Sequence, residues 1–291
     1  MTENREPLAA EEYIEQAWMF GSLRTRLKSN EPLQVLLQHI KQEILATTKL
    51  PMAIDYMLAE LNHSGSMAVA MQKMPHYFAP FQAWLIGATE DERGRMDMLT
   101  ATSILEHEAR YRSEGKSSAA LFFFQLEVLC RHRLSYDLGL VAMSEDPMYD
   151  DAWRDWLLEA RKQLGFVDIA DLIYVHSRYY SRTGEQSEGD SLPLFGEKEG
   201  RIALANRRRD PLYLFAALQR QLKYPPVPLP PRADPNADLL PRLARRLEQF
   251  ETRLKLLEDE QRESGIDLSR FYRPPSGPAG MVKPEDDRNT P

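Results

Sequence analysis

Leu33, Leu36, Leu37, Ile40 and Ile44 fall on one stripe of an α-helix. Spacing of this kind recurs from about Leu8 to Arg182 without a run of period-2 alternation. A chain patterned this way has to bury helix faces against helix faces, which predicts an all-α fold, a multi-helix bundle over residues 8–182. The punctuation divides it. Asn30 suits an N-cap and Pro32 the first turn, and Pro51 opens PMAIDYMLAELNH, so 31–47 and the helix after it form a tight hairpin. Pro80 opens a pattern that runs to about Arg112. After the Ser113–Ser118 break, AALFFFQLEVL is apolar nearly all round, which predicts a central helix from about Ala119 to Met143. Two further helices, roughly 148–164 and 167–180, meet at Gly165, a natural residue to follow a helix C-terminus.

Charge narrows the partners. Lys plus Arg number 37 against 44 Asp plus Glu, a net charge of −7, so no global positive field draws the chain onto nucleic acid or anionic lipid. MTENREPLAAEEY is polar and acidic where a signal peptide needs basic residues and then an apolar run, and the expectation is a cytoplasmic protein with no membrane span. Cys130 is the only cysteine, which excludes an intrachain disulfide and any multi-cysteine metal site.

After Arg182 the composition shifts to TGEQSEGDS, and residues 183–200 read as a flexible linker. Within it LPLFG (192–196) is out of character, because apolar residues in such a segment gain by docking somewhere. Residues 201–224 read as a short basic, amphipathic helical segment in which Asp210 caps and Pro211 starts DPLYLFAALQRQL. YPPVPLPPRADP makes 225–236 an extended Pro-rich spacer, 237–264 follow as a coiled-coil helix, and 265–291 as a disordered tail.

Three constellations bear on function. Glu60 and His63 form a Glu-x-x-His pair of the kind used by di-metal carboxylate bundles, where acids from four helices share two hard cations. With Glu43, Glu92 and Glu127 on neighbouring helices, the set sketches a site for two iron or manganese ions and an oxidoreductase-like enzyme. Against it, Glu127 is followed at +3 by Cys130 and not histidine, and Glu43 and Glu60 sit at unequal distances from the intervening turn. No cofactor is therefore assigned. Second, Arg207, Arg208 and Arg209, with Lys198, Arg201, Arg220 and Lys223 nearby, concentrate positive charge in an acidic chain. Such a patch suits nucleic acid or an acidic protein surface, or else answers the chain's own acidic domain.

The third is the strongest pattern. Leu240, Leu243, Leu247, Phe250, Leu254 and Leu257 alternate spacings of three and four, an a/d heptad stripe without a miss. With Leu240 at a, Arg246 and Arg253 fall at g and Glu251 and Glu258 at e, charges that pair across a parallel homo-oligomer. Packing of this helix on its own domain is the competing expectation. The stiff spacer before it favours pairing between chains, so the sequence points to an interaction or scaffold protein that self-associates through its C-terminal helix and carries no assigned chemistry.

Overall fold

The computed structural model describes residues 6–29, 31–91, 96–115, 117–183, 193–230, 250 and 254–255. The described residues form helices and no strand. The chain divides into two units, Met1–Pro231 and Arg232–Pro291.

The first unit begins with α1 (Ala10–Arg26), which lays Tyr13, Gln16, Ala17, Phe20 and Leu23 inward. A single 3-10 turn leads to α2 (Leu33–Glu43), whose Leu36, Leu37 and Ile40 are buried, and α3 (Leu50–Ser64) follows with Pro51 in its first turn. α2 and α3 pack on each other, as the hairpin expectation requires. α3 stops at Gly65, which takes φ 73 and whose N–H bonds to the Leu61 carbonyl, a left-handed terminus that glycine adopts without a Cβ penalty. α4 (Met67–Gln72) is capped by Ser66 and by Glu90, whose carboxylate accepts the Met67 N–H at 2.7 Å.

The pattern expected to run from Pro80 to Arg112 is two helices, α5 (Pro80–Glu90) and α6 (Met98–Ser113), the second capped by the Asp97 side chain. Similarly, the helix expected over 119–143 is α7 (Ser118–His132) and α8 (Tyr136–Ser144). Arg133 turns to φ 53 and ends the first, and the Ser135 hydroxyl caps the second. α7 is nevertheless the centre of the bundle: Phe122, Phe123 and Phe124 are at most 1% exposed. Burial of side chains this size is worth roughly 1.5–3 kcal/mol each. α9 (Asp151–Gln163) brings Trp153 and Trp156 against Phe122, with ring centroids 5.5 and 5.1 Å away. The helix expected over 167–180 is likewise two, α10 (Ile169–Val175) and α11 (Arg178–Arg182), the second capped by the Ser177 hydroxyl.

The unit does not end there. Phe195, from the apolar run LPLFG, is 1% exposed and sits among Phe122, Phe123, Trp153 and Trp156. Its backbone is held as well: the His176 carbonyl accepts the N–H groups of Leu194 and Phe195, and the Arg178 N–H bonds to the Phe195 carbonyl. α12 (Glu197–Ala205) then crosses close to the 177–179 turn. A Cβ at Gly200 would lie 2.6 Å from Ser177 Cβ and 2.9 Å from Tyr179 Cβ, so only glycine allows that approach. α13 (Pro211–Leu222), capped by Asp210, packs on α7. Tyr224 and Val227 are buried too, at 2% and 8% exposure. Residues 193–230 are thus part of the first unit, because Phe195, Ala203, Leu214, Phe215, Leu218 and Tyr224 share its core.

Of the expected coiled coil over 237–264, Leu240, Leu243, Arg246, Leu247, Glu251, Arg253, Leu257 and Glu258 lie outside the described residues, as does the tail 265–291. Phe250 and Leu254 are described: both are helical, and they are 60% and 59% exposed. No helix among the described residues is long and apolar enough to cross a membrane.

Candidate functional site

Three of the carboxylates singled out for metal binding, Glu43, Glu60 and Glu127, are engaged elsewhere. Glu43 pairs with Arg26, whose Nη2 lies 2.6 and 2.7 Å from its two oxygens. Glu60 pairs with Lys73 at 2.7 Å, and that hydrogen bond holds its carboxyl below the usual carboxylate range. His63 is exposed at the end of α3. Glu127 accepts a hydrogen bond from Arg131 Nε and another from the Tyr224 hydroxyl at 2.8 Å. Glu92 lies outside the described residues. Glu43, Glu60, His63 and Glu127 are not brought together, and among the described residues no group of three or more His, Cys, Asp or Glu side chains is placed to hold an ion.

The arginine stretch divides. Arg207 is turned onto the domain: its guanidinium lies 4.2 Å from the centroid of the Tyr174 ring and pairs with Asp171. The Arg208 N–H donates to Asp168 at 2.6 Å, which ties the 206–209 turn to the start of α10, where the same carboxylate also accepts the Ala170 N–H. The side chains of Arg208 and Arg209 stay exposed. Part of the positive charge therefore answers acids of the chain's own α10.

Beside this turn opens a cleft of about 300 Å³ between α7, the start of α8, the α9–α10 turn and α13. Leu126, Leu164, Val167, Ile169, Pro211 and Phe215 give it an apolar lining, and Cys130 and Tyr136 add a thiol and a phenol. Gly165, at φ 103, reverses the chain there and leaves Phe166 93% exposed at the turn. Burial first, then the interaction with Cys130, pushes the Tyr136 hydroxyl above its usual range. The neighbouring His132 directs Nε2 at the Pro228 carbonyl oxygen 2.9 Å away, and because a carbonyl only accepts, that nitrogen carries the proton. Its imidazole is held below the usual range by burial. Nucleophilic catalysis by Cys130 with His132 finds no support in this geometry.

Sequence reading passed over the most deeply buried charges. Arg112, fully buried on α6, donates to Glu108 at 3.0 Å and bidentately to Asp146 in the α8–α9 turn. Gln125 of α7 donates to the same Glu108 oxygen at 2.7 Å, and Tyr149 donates to Gln125 at 2.7 Å. Burial alone would lower the guanidinium, but Asp146 and Glu108 outweigh it and hold Arg112 above its ordinary value. Only the spacing of four between Glu108 and Arg112 is visible in sequence. The network joins α6, α7 and the α8–α9 turn and touches neither cleft residue nor exposed surface, so its work is structural.

The chain matches no protein-family model, no curated protein and no solved structure.

Proposed function

We propose that this chain is a cytoplasmic interaction or scaffold protein that self-associates through residues 240–257, its helical domain serving as the carried body. The observation that supports this most is the unbroken a/d stripe Leu240, Leu243, Leu247, Phe250, Leu254 and Leu257. Its two described members, Phe250 and Leu254, are helical and about three-fifths exposed, at 60% and 59%. Large apolar side chains repeated at coiled-coil spacing and left in water are stabilised by a second copy of the same seam. Arg246 and Arg253 at g, facing Glu251 and Glu258 at e, favour a parallel pairing.

The experiment is light scattering on the full chain and on a chain ending at Pro231. The full chain should be an oligomer and the shortened one a folded, helical monomer. Leu247→Lys with Leu254→Lys should give the same monomer in the full chain, because charges do not fit a seam this short. A monomeric full chain, or an oligomer unchanged by truncation, would remove the proposal.

A further inference from the structure

We propose that residues 225–230, PPVPLP, are a docking surface for a proline-recognition domain: a protein module with an aromatic-lined groove and an acidic rim. This surface lies on the first unit and is separate from the self-association seam.

The sequence dictates its conformation. Pro225, Pro226, Pro228 and Pro230 have φ fixed by their rings, while Tyr224, Pro225, Val227 and Leu229 each precede a proline and are pushed into the extended region. Nearly every residue is thereby held to polyproline II geometry, and residues 223–230 accordingly enter no helix or turn. That helix repeats every three residues, so it is a prism with three edges. Burial follows the repeat as far as Leu229, after which Pro230 is exposed. Tyr224 and Val227, three apart, are 2% and 8% exposed; Pro225 and Pro228 are half-buried; Pro226 is exposed and Leu229 is 60% exposed.

The buried edge is fixed to the body by specific bonds. The Tyr224 hydroxyl donates to Glu127 at 2.8 Å, its ring meets Phe124 edge-on at 6.5 Å, and His132 donates to the Pro228 carbonyl at 2.9 Å. A proline-recognition groove takes two adjacent edges of such a prism and leaves the third facing away. Here the third edge rests on the protein's own α7 and α13, the edge of Pro226 and Leu229 faces outward, and that of Pro225 and Pro228 is half-exposed. A linear peptide would have to be ordered on binding, whereas this one is held in the recognised conformation beforehand, which lowers the entropic cost of association. Charge selects among grooves. Lys223, exposed, stands immediately before the prolines and favours a groove with an acidic rim.

The test titrates purified SH3 and WW domains with acidic groove rims into the full chain by calorimetry. At least one should bind saturably at one site per chain. Pro226→Ala with Leu229→Ala should weaken that binding by about tenfold or more. Far-UV circular dichroism and the melting temperature should hold, because both side chains are exposed. Pro274→Ala with Pro275→Ala, which alters the proline pair of the tail, should leave binding unchanged. The Leu247→Lys, Leu254→Lys variant should bind as the parent does, so that loss of docking and loss of self-association are read separately. No saturable binding by any of the domains, binding that survives the Pro226 and Leu229 changes, or binding abolished by the Pro274 and Pro275 changes would overturn the proposal.

Discussion

Replacing Phe195 with alanine should destabilise the helical body by several kcal/mol, although the residue lies beyond the point where the helical sequence pattern stops. Its ring is 1% exposed, with centroids 5.1 Å from Trp156, 5.3 Å from Trp153, 5.5 Å from Phe123 and 5.9 Å from Phe122. Truncating a buried phenylalanine costs about 3–5 kcal/mol. The upper half of that range applies here, because four rigid rings collapse poorly into the space left behind. For a body of this size each kcal/mol moves the melting temperature by about 2–4 °C, so a fall of roughly 8–20 °C is expected. Far-UV circular dichroism melts of the full chain measure it. Limited trypsin digestion gives a second readout: with the anchor gone, cleavage at the exposed Arg201 of α12 should accelerate. A melting temperature within about 2 °C of the parent, with digestion at Arg201 unchanged, would refute the assignment of Phe195 as the anchor of residues 193–230.

Arg112→Leu should cost about 3–5 kcal/mol, since it leaves Glu108 and Asp146 buried beside each other without a cation. A parent-like urea midpoint would contradict that. Acid should weaken the fold early. His107 and His132 are both held below the usual imidazole range, chiefly by burial. The unfolded chain therefore takes up their protons first as pH drops, so their contribution is complete above about pH 6.5 and is lost as pH falls through the lower folded-state values. Urea midpoints should be lower at about pH 5.5 than at about pH 7.5, and the difference should shrink in His107→Gln with His132→Gln; a difference of the same size in the variant would exclude these two groups as its source.

Local signals carried much of the bundle. Pro51 in the first turn of α3 and Asp210 with Pro211 at the start of α13 stand where their chemistry places them, because caps and proline act over a turn or two. The apolar stripe of α2 was legible for the same reason. What failed was continuity. The helix expected from Ala119 to Met143 is read straight through Arg133, Leu134 and Ser135, although a left-handed arginine and a serine cap break it there. The pattern read from Pro80 to about Arg112 likewise runs past the end of α5 at Glu90 and the Asp97 cap of α6. Partners distant in sequence were not legible at all. Glu127 looked like an inward carboxylate for a metal, and nothing near it announces that Tyr224 supplies its hydrogen bond. Phe195 was visible as an apolar residue needing a dock, but which rings receive it depends on how α7 and α9 meet. That Arg207 could answer the chain's own acids is legible in sequence, but that α10 supplies Asp171 and Tyr174 is not.

Self-association through the C-terminal stripe is tested most directly by mixing two charge variants and measuring mass by sedimentation equilibrium. Arg246→Glu with Arg253→Glu makes the four paired positions 246, 251, 253 and 258 acidic, while Glu251→Arg with Glu258→Arg makes them basic. In a parallel, in-register pair each variant alone opposes like charges, and one of each opposes unlike charges along both flanks. Each variant by itself should self-associate more weakly than the parent, and an equimolar mixture should recover a one-to-one complex with parent-like affinity. Two variants that associate as tightly as the parent on their own, or a mixture that gains nothing over its components, would contradict the parallel seam.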